Sequence, residues 1–117
     1  MATILIIDDE VDITTTLRRF FERARHEVVV AHTSEEGLVA FKRSRPDLVL
    51  LDLHLPDGSG MDILAQLKDE QAVVIMITGH GDIELAVTAM QQGAENFLTK
   101  PVEIGRASCR ERVLCVV

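Results

Sequence analysis

Hydrophobic residues in this chain fall into two kinds of pattern, and the two alternate. Thr3-Ile4-Leu5-Ile6-Ile7, Leu48-Val49-Leu50-Leu51 and Val73-Val74-Ile75-Met76-Ile77 are short apolar runs without polar interruption. They lack the one-in-two alternation of a half-exposed strand and are too short for buried helices, so they predict strands covered on both faces. Glu27 to Ala31, with Val28-Val29-Val30 at its heart, and Glu95-Asn96-Phe97-Leu98 predict two further strands. Between them the period changes. Ile13, Leu17, Phe20, Phe21 and Ala24 share one face of a helix running to about Arg25. A second helix, opened by a Thr33/Glu36 capping box, buries Leu38 and Phe41 and stops before Pro46. Pro56 to Gly60 reads as a loop, and Met61, Ile63, Leu64 and Leu67 make a third helical face. After the loop Thr78-Gly79-His80-Gly81, Asp82 is a natural N-cap for a fourth helix with the stripe Ile83, Ala86, Val87 and Met90, ended by Gly93.

Strand and helix alternating along nearly the whole length predict an α/β domain: right-handed crossovers, a five-stranded parallel sheet and helices on both faces. At 117 residues this is one domain, with no repeats or linkers. No apolar run approaches a membrane span, and nothing at the N-terminus resembles a secretory signal. The formal net charge of −7 repels a phosphate backbone, which argues against direct nucleic-acid binding. Cys109 and Cys115 lack the partners of a zinc site or a disulfide scaffold, and a reduced, cytoplasmic protein is expected.

In a parallel sheet the carboxyl ends of all strands lie on one edge, where ligands gather. Asp8 and Asp9 follow the first strand, Asp52 the third, Thr78 the fourth and Lys100 the fifth. Each has a plainer explanation alone. Asp8, Asp9 or Asp52 could cap a helix, Thr78 could merely end a strand, and Lys100 could be a solvated charge. Together they place three carboxylates, a hydroxyl and an ammonium at one mouth. Carboxylates this close repel, and a hard divalent cation with oxygen ligands relieves them; Mg²⁺ suits two or three protein oxygens with room for water and a phosphoryl group. A carboxylate beside Mg²⁺ and Lys is equipped to attack an activated phosphorus and form an acyl phosphate.

The set Asp8-Asp9, Asp52, Thr78 and Lys100-Pro101, over about residues 3 to 102, resembles the receiver domain of bacterial two-component response regulators. Thr78-Gly79-His80-Gly81-Asp82 through Phe97-Leu98-Thr99-Lys100-Pro101 looks like the nitrogen-regulator type. The resemblance implies a flavodoxin-like sheet of order 2-1-3-4-5. It implies Asp52 as phosphoacceptor, fed by a sensor histidine kinase or a phosphotransfer protein, with Mg²⁺ on Asp9 and Asp52, on Asp8 largely through water, and on the backbone carbonyl of His54. Lys100 would pair with Asp52 and then the phosphoryl group, Thr78 would move toward that group, and Phe97 would be the switch aromatic. His54 and His80 stand where the family tunes phosphoryl lifetime. The Lys100-Pro101 bond would be cis, and a homodimer would use helix four, strand five and helix five. Relatives of this type carry transcriptional output domains, and this chain shows none.

Two other readings compete with this one. A phosphohydrolase of the haloacid dehalogenase type also uses an aspartyl nucleophile, Mg²⁺, Thr or Ser and Lys. It wants an Asp two residues after the nucleophile, where this chain has His54. A binding module that is never phosphorylated would be expected to lack a site member. From Glu103 the character of the chain changes. Ile104, Ala107, Glu111 and Leu114 make a weak stripe for a fifth helix. Residues 103–113 resemble the translated read-through of a sequencing adapter, so 103–117 is expected to be a non-native tail on a receiver domain of residues 1–102.

Overall fold

A computed structural model of the chain describes residues 1–100. The expected tail, its fifth helix, both cysteines and the Lys100-Pro101 bond lie outside the described residues. The elements are β1 (Thr3–Ile7), α1 (Val11–Arg23), β2 (Glu27–Ala31), α2 (Ser34–Ser44), β3 (Leu48–Asp52), β4 (His54–Leu55), β5 (Gly58–Ser59), α3 (Gly60–Leu67), β6 (Val73–Thr78), a 3-10 turn (His80–Asp82), α4 (Ile83–Gln91) and β7 (Asn96–Thr99). The five long strands pair in parallel in the order β2-β1-β3-β6-β7, the predicted 2-1-3-4-5 once the small hairpin is set aside. No described helix is long and apolar enough to cross a membrane.

The uninterrupted apolar runs are explained by two cores. Leu5, Ile7, Val49, Leu51 and Met76 face Phe41, Ile63, Leu64, Leu67 and Ala89 from α2, α3 and α4. On the other side Ile4, Ile6, Leu50, Ile75 and Ile77 meet Leu17 and Phe21 of α1. Successive strand residues point to opposite faces, so the central strands need apolar residues at every position.

Local departures have local causes. The Thr33 side chain accepts from Glu36 N at 3.1 Å, but Glu36 Oε1 reaches back to His32 N instead of Thr33 N. The rest of the α2 cap comes from a distant residue: Asp57, on the β4–β5 hairpin, accepts from Ser34 N at 2.7 Å and Glu35 N at 3.1 Å. That hairpin occupies the stretch expected to be loop. Leu38 is half-buried where full burial was expected, and Ala24, placed on the α1 face, is an exposed C-cap. The fourth-helix stripe is corrected too. Ala86 and Ala89 are its buried residues, whereas Ile83, Val87 and Met90 are 37–46% exposed. Asp82 stands at the N-cap of α4 but makes no side-chain cap bond. The fifth strand runs Asn96–Thr99, one residue later than expected. Gly93, at φ +119°, follows α4 as predicted.

Candidate functional site

The C-terminal ends of β1, β3, β6 and β7 bring the expected residues to one rim. Asp8 is fully buried just beyond β1; its N–H donates to Ala31 O at 3.0 Å, and its Oδ1 accepts from Glu10 N at 2.9 Å. Its other oxygen, Oδ2, has no hydrogen-bond partner among the described residues. The Lys100 ammonium lies 3.4 Å from that oxygen, close enough for charge attraction without a formed hydrogen bond. Asp52 is the last residue of β3 and is buried. Its Oδ1 accepts from His54 N at 3.2 Å, and its Oδ2 accepts from Lys100 Nζ at 3.2 Å. Asp9 is exposed, yet offers an oxygen within 4.8 Å of ligand atoms on both Asp8 and Asp52. Lys100 is anchored through its backbone, its N–H donating to Thr78 O at 2.8 Å, which ties the ends of β6 and β7 together.

Thr78 shares the rim but does not reach the carboxylates. It ends β6 one residue past Ile77, the register partner of Asp52, so its side chain leaves from the opposite face. Its hydroxyl donates to Gly79 O at 3.2 Å. Phe97 pairs with Met76 and is half-buried against the core of the α2, α3 and α4 side. The His54 imidazole turns away from Asp52, and its Nε2 is 2.9 Å from Asp82 Oδ2.

Three contributors were not foreseen. Glu10 holds the Lys100 ammonium at 2.5 Å, sharing it with Asp52 and Asp8. The acidic run Asp8-Asp9-Glu10 was its visible signal. His32 Nδ1 lies 3.0 Å from the Asp8 carbonyl, with no sequence pattern to announce it. Gly60 is the third. A Cβ there would lie 2.1 Å from the Asp52 carbonyl oxygen, so only glycine lets the start of α3 fold back onto the strand that ends in Asp52. Gly60 N donates to Leu53 O at 2.8 Å in that approach.

Burial pushes the Asp8 carboxyl up from 3.8 to about 7; the Asp52 charge adds to the rise, while the Glu10 N–H and Lys100 oppose it. Burial also disfavours the charged form of Lys100, but Glu10, Asp8 and Asp52 together outweigh it and hold the ammonium above its ordinary range. The mouth therefore carries more negative charge than its single ammonium satisfies. An oxygen-seeking divalent cation fits this donor set. The oxygens of Asp8, Asp9 and Asp52 lie within 4.8 Å of one another, no farther apart than two oxygens on opposite sides of such an ion, about 4–5 Å. Asp8 Oδ2, without a hydrogen bond among the described residues, is the atom such a cation would satisfy.

The arrangement has counterparts. The profile of the response regulator receiver domain matches residues 4–109. Response regulator protein PilR of Pseudomonas aeruginosa is 40% identical over 104 residues, 87% of this chain and 23% of that protein. The crystal structure of the receiver domain of NtrX from Brucella abortus superposes with a TM-score of 0.80 at 36% identity, covering 86% of this chain and 87% of that one. A Burkholderia pseudomallei response regulator crystallised with a phosphorylated aspartic acid, calcium ion and citrate matches with a TM-score of 0.81 at 31% identity, covering 95% and 70%. This chain spans about a quarter of the length of PilR and half that of KdpE, the regulator of the KDP operon in Escherichia coli. Nothing in these likenesses supports the hydrolase alternative, and the residue where it needs a general acid, His54, is bound to Asp82. The chain belongs to the response regulator receiver domain family, with nitrogen-regulator-type relatives, and is a phosphoacceptor switch of two-component signalling.

Proposed function

We propose that Asp52 is the phosphoacceptor and that Asp8, Asp9, Asp52 and the His54 carbonyl hold a Mg²⁺ ion beside it. The observation that carries this is the Lys100 ammonium 3.2 Å from Asp52 Oδ2, inside a ring of carboxylates in which one buried oxygen, Asp8 Oδ2, has no hydrogen bond among the described residues. An Asp52 oxygen attacks the phosphorus of a phosphohistidine on a sensor kinase or phosphotransfer protein. The P–N bond breaks, the imidazole departs with its electron pair, and an acyl phosphate forms. Bound Mg²⁺ supplies charge neutralisation to the phosphoryl oxygens. Lys100 transfers its contact from the carboxylate to the new phosphoryl group. Thr78 must then leave Gly79 to donate to a phosphoryl oxygen, and Phe97 fills the space it vacates. The domain catalyses its own phosphorylation and dephosphorylation and no other turnover.

His54 and His80 tune how fast water removes the group. Unchanged dephosphorylation in a His54→Ala/His80→Ala variant would contradict that role. The exposed apolar residues Leu85, Val87 and Met90 on α4 support a homodimer of the native protein through α4, β7 and the fifth helix that the tail here replaces, to be checked by sedimentation of the phosphorylated protein with its native C-terminus. A transcriptional output lies in a domain beyond this chain, and the signalling is cytoplasmic. Residues 103–117 are a tail of adapter origin, which a clean genomic read encoding the same residues would refute. The main test is mass spectrometry after incubation with acetyl phosphate and Mg²⁺. A gain of one phosphoryl group in the wild type and none in Asp52→Asn is expected; labelling of Asp52→Asn to the same extent would overturn the assignment.

A further inference from the structure

Resting on that reading, we infer that Asp82 is a positioning residue that, with His54, clasps the loop after Thr78 to the loop after Asp52 and brakes phosphorylation. Four hydrogen bonds form one circuit. The Thr78 hydroxyl donates to Gly79 O at 3.2 Å, and Asp82 N–H donates to the same carbonyl at 3.1 Å. The Asp82 carboxylate meets His54 Nε2 at 2.9 Å, and His54 N–H donates to Asp52 Oδ1 at 3.2 Å. The circuit begins at the hydroxyl that must move and ends at the carboxylate that must react.

A second, independent observation singles out Asp82. It occupies the N-cap of α4, where Asp ordinarily accepts from the helix's own N–H groups, yet makes no such bond. Its carboxylate lies over Gly79, 3.8 Å from where a Cβ would stand, and is committed to the ring across the mouth. A group diverted from a local cap to a contact 28 residues away serves the distant element. For Thr78 to reach a phosphoryl oxygen, Gly79 must lose one of the two donors on its carbonyl. The clasp fixes the other donor and so opposes the shift of residues 79–82. His54 is largely exposed, so the restraint is modest.

The test is a double-mutant cycle on the full chain, following the rate of acetyl phosphate labelling with Mg²⁺. His54→Ala, Asp82→Ala and the double variant should each label about two- to fivefold faster than wild type, the double no faster than either single. Asp82→Asn, which keeps an acceptor oxygen, should stay near the wild-type rate. Because a merely structural change could also alter rates, the Thr78 and Gly79 amide resonances are followed in the unphosphorylated variants. They should move toward their positions in the wild type bound to beryllofluoride. Single-variant effects that multiply in the double, unchanged rates, or unmoved resonances would overturn the clasp. If the wild type itself fails to label, the proposed function falls; the clasp is then decided by whether Asp82→Ala and His54→Ala move the same two resonances.

Discussion

Asp8 and Asp57 stand at the same end of the sheet and have opposite fates. Asp57 is exposed on the hairpin, and its two oxygens accept from Ser34 N and Glu35 N; these bonds hold its carboxyl below the ordinary range. Asp8 is wholly buried, keeps one oxygen without a hydrogen bond among the described residues, and is pushed up to about 7. The first carboxylate completes a helix end and is satisfied by the fold alone. The second has only a share of the Lys100 ammonium, which Glu10 and Asp52 also hold, and this costs stability until a further positive charge arrives. That difference separates a residue that builds the domain from one that equips it.

Gly60 links the two regions, because it closes the hairpin that carries Asp57 onto the carbonyl of Asp52. Gly60→Ala should therefore have the largest effect, about 3 kcal/mol of destabilisation by chemical denaturation, with loss of both the α2 cap and the phosphorylation site. Asp8→Asn should act in the other direction. The neutral amide can donate toward Asp52, so the metal-free domain should gain about 1–2 kcal/mol at pH 8 while losing its stabilisation by Mg²⁺. A destabilised Asp8→Asn with intact Mg²⁺ response would erase the contrast. Asp57→Ala should lower stability by the loss of a helix cap, less than Gly60→Ala does, and leave the Mg²⁺ response unchanged.

The smallest effect is in pH. Because the folded-state value for Asp8 is raised, the folded domain holds more protons than the unfolded chain between pH 4 and 7. Metal-free stability should therefore fall as pH rises through that window. Asp57 runs the other way: its contribution is present above its ordinary value of 3.8 and is lost as pH falls through its depressed folded-state value. Urea melts at pH 6 and pH 8, with and without Mg²⁺, would show the slope and its suppression by the cation.

Much of this was legible in the residues. The apolar runs of β1, β3 and β6 announced doubly covered strands, and a parallel sheet then obliges Asp8, Asp52, Thr78 and Lys100 to share an edge. Side-chain direction was not legible. Thr78 bonds its own neighbour's carbonyl, and His54 reaches Asp82, 28 residues away; neither rotamer is written in the local pattern of apolar and polar positions. The α4 stripe misled for a related reason: periodicity identifies the helix, but Ala86 and Ala89 face the sheet because small residues allow close approach. Asp57 and Gly60 were hidden in a stretch that composition marks only as a turn.

The fold leaves the Asp8 carboxylate with less positive charge than it needs, for a cation to complete. The ¹³C chemical shift of the Asp8 carboxyl, titrated without and with Mg²⁺, reads this directly. A midpoint near 7 is expected without the ion, displaced well toward acid when it is present. An ordinary carboxylate midpoint in both titrations would contradict it.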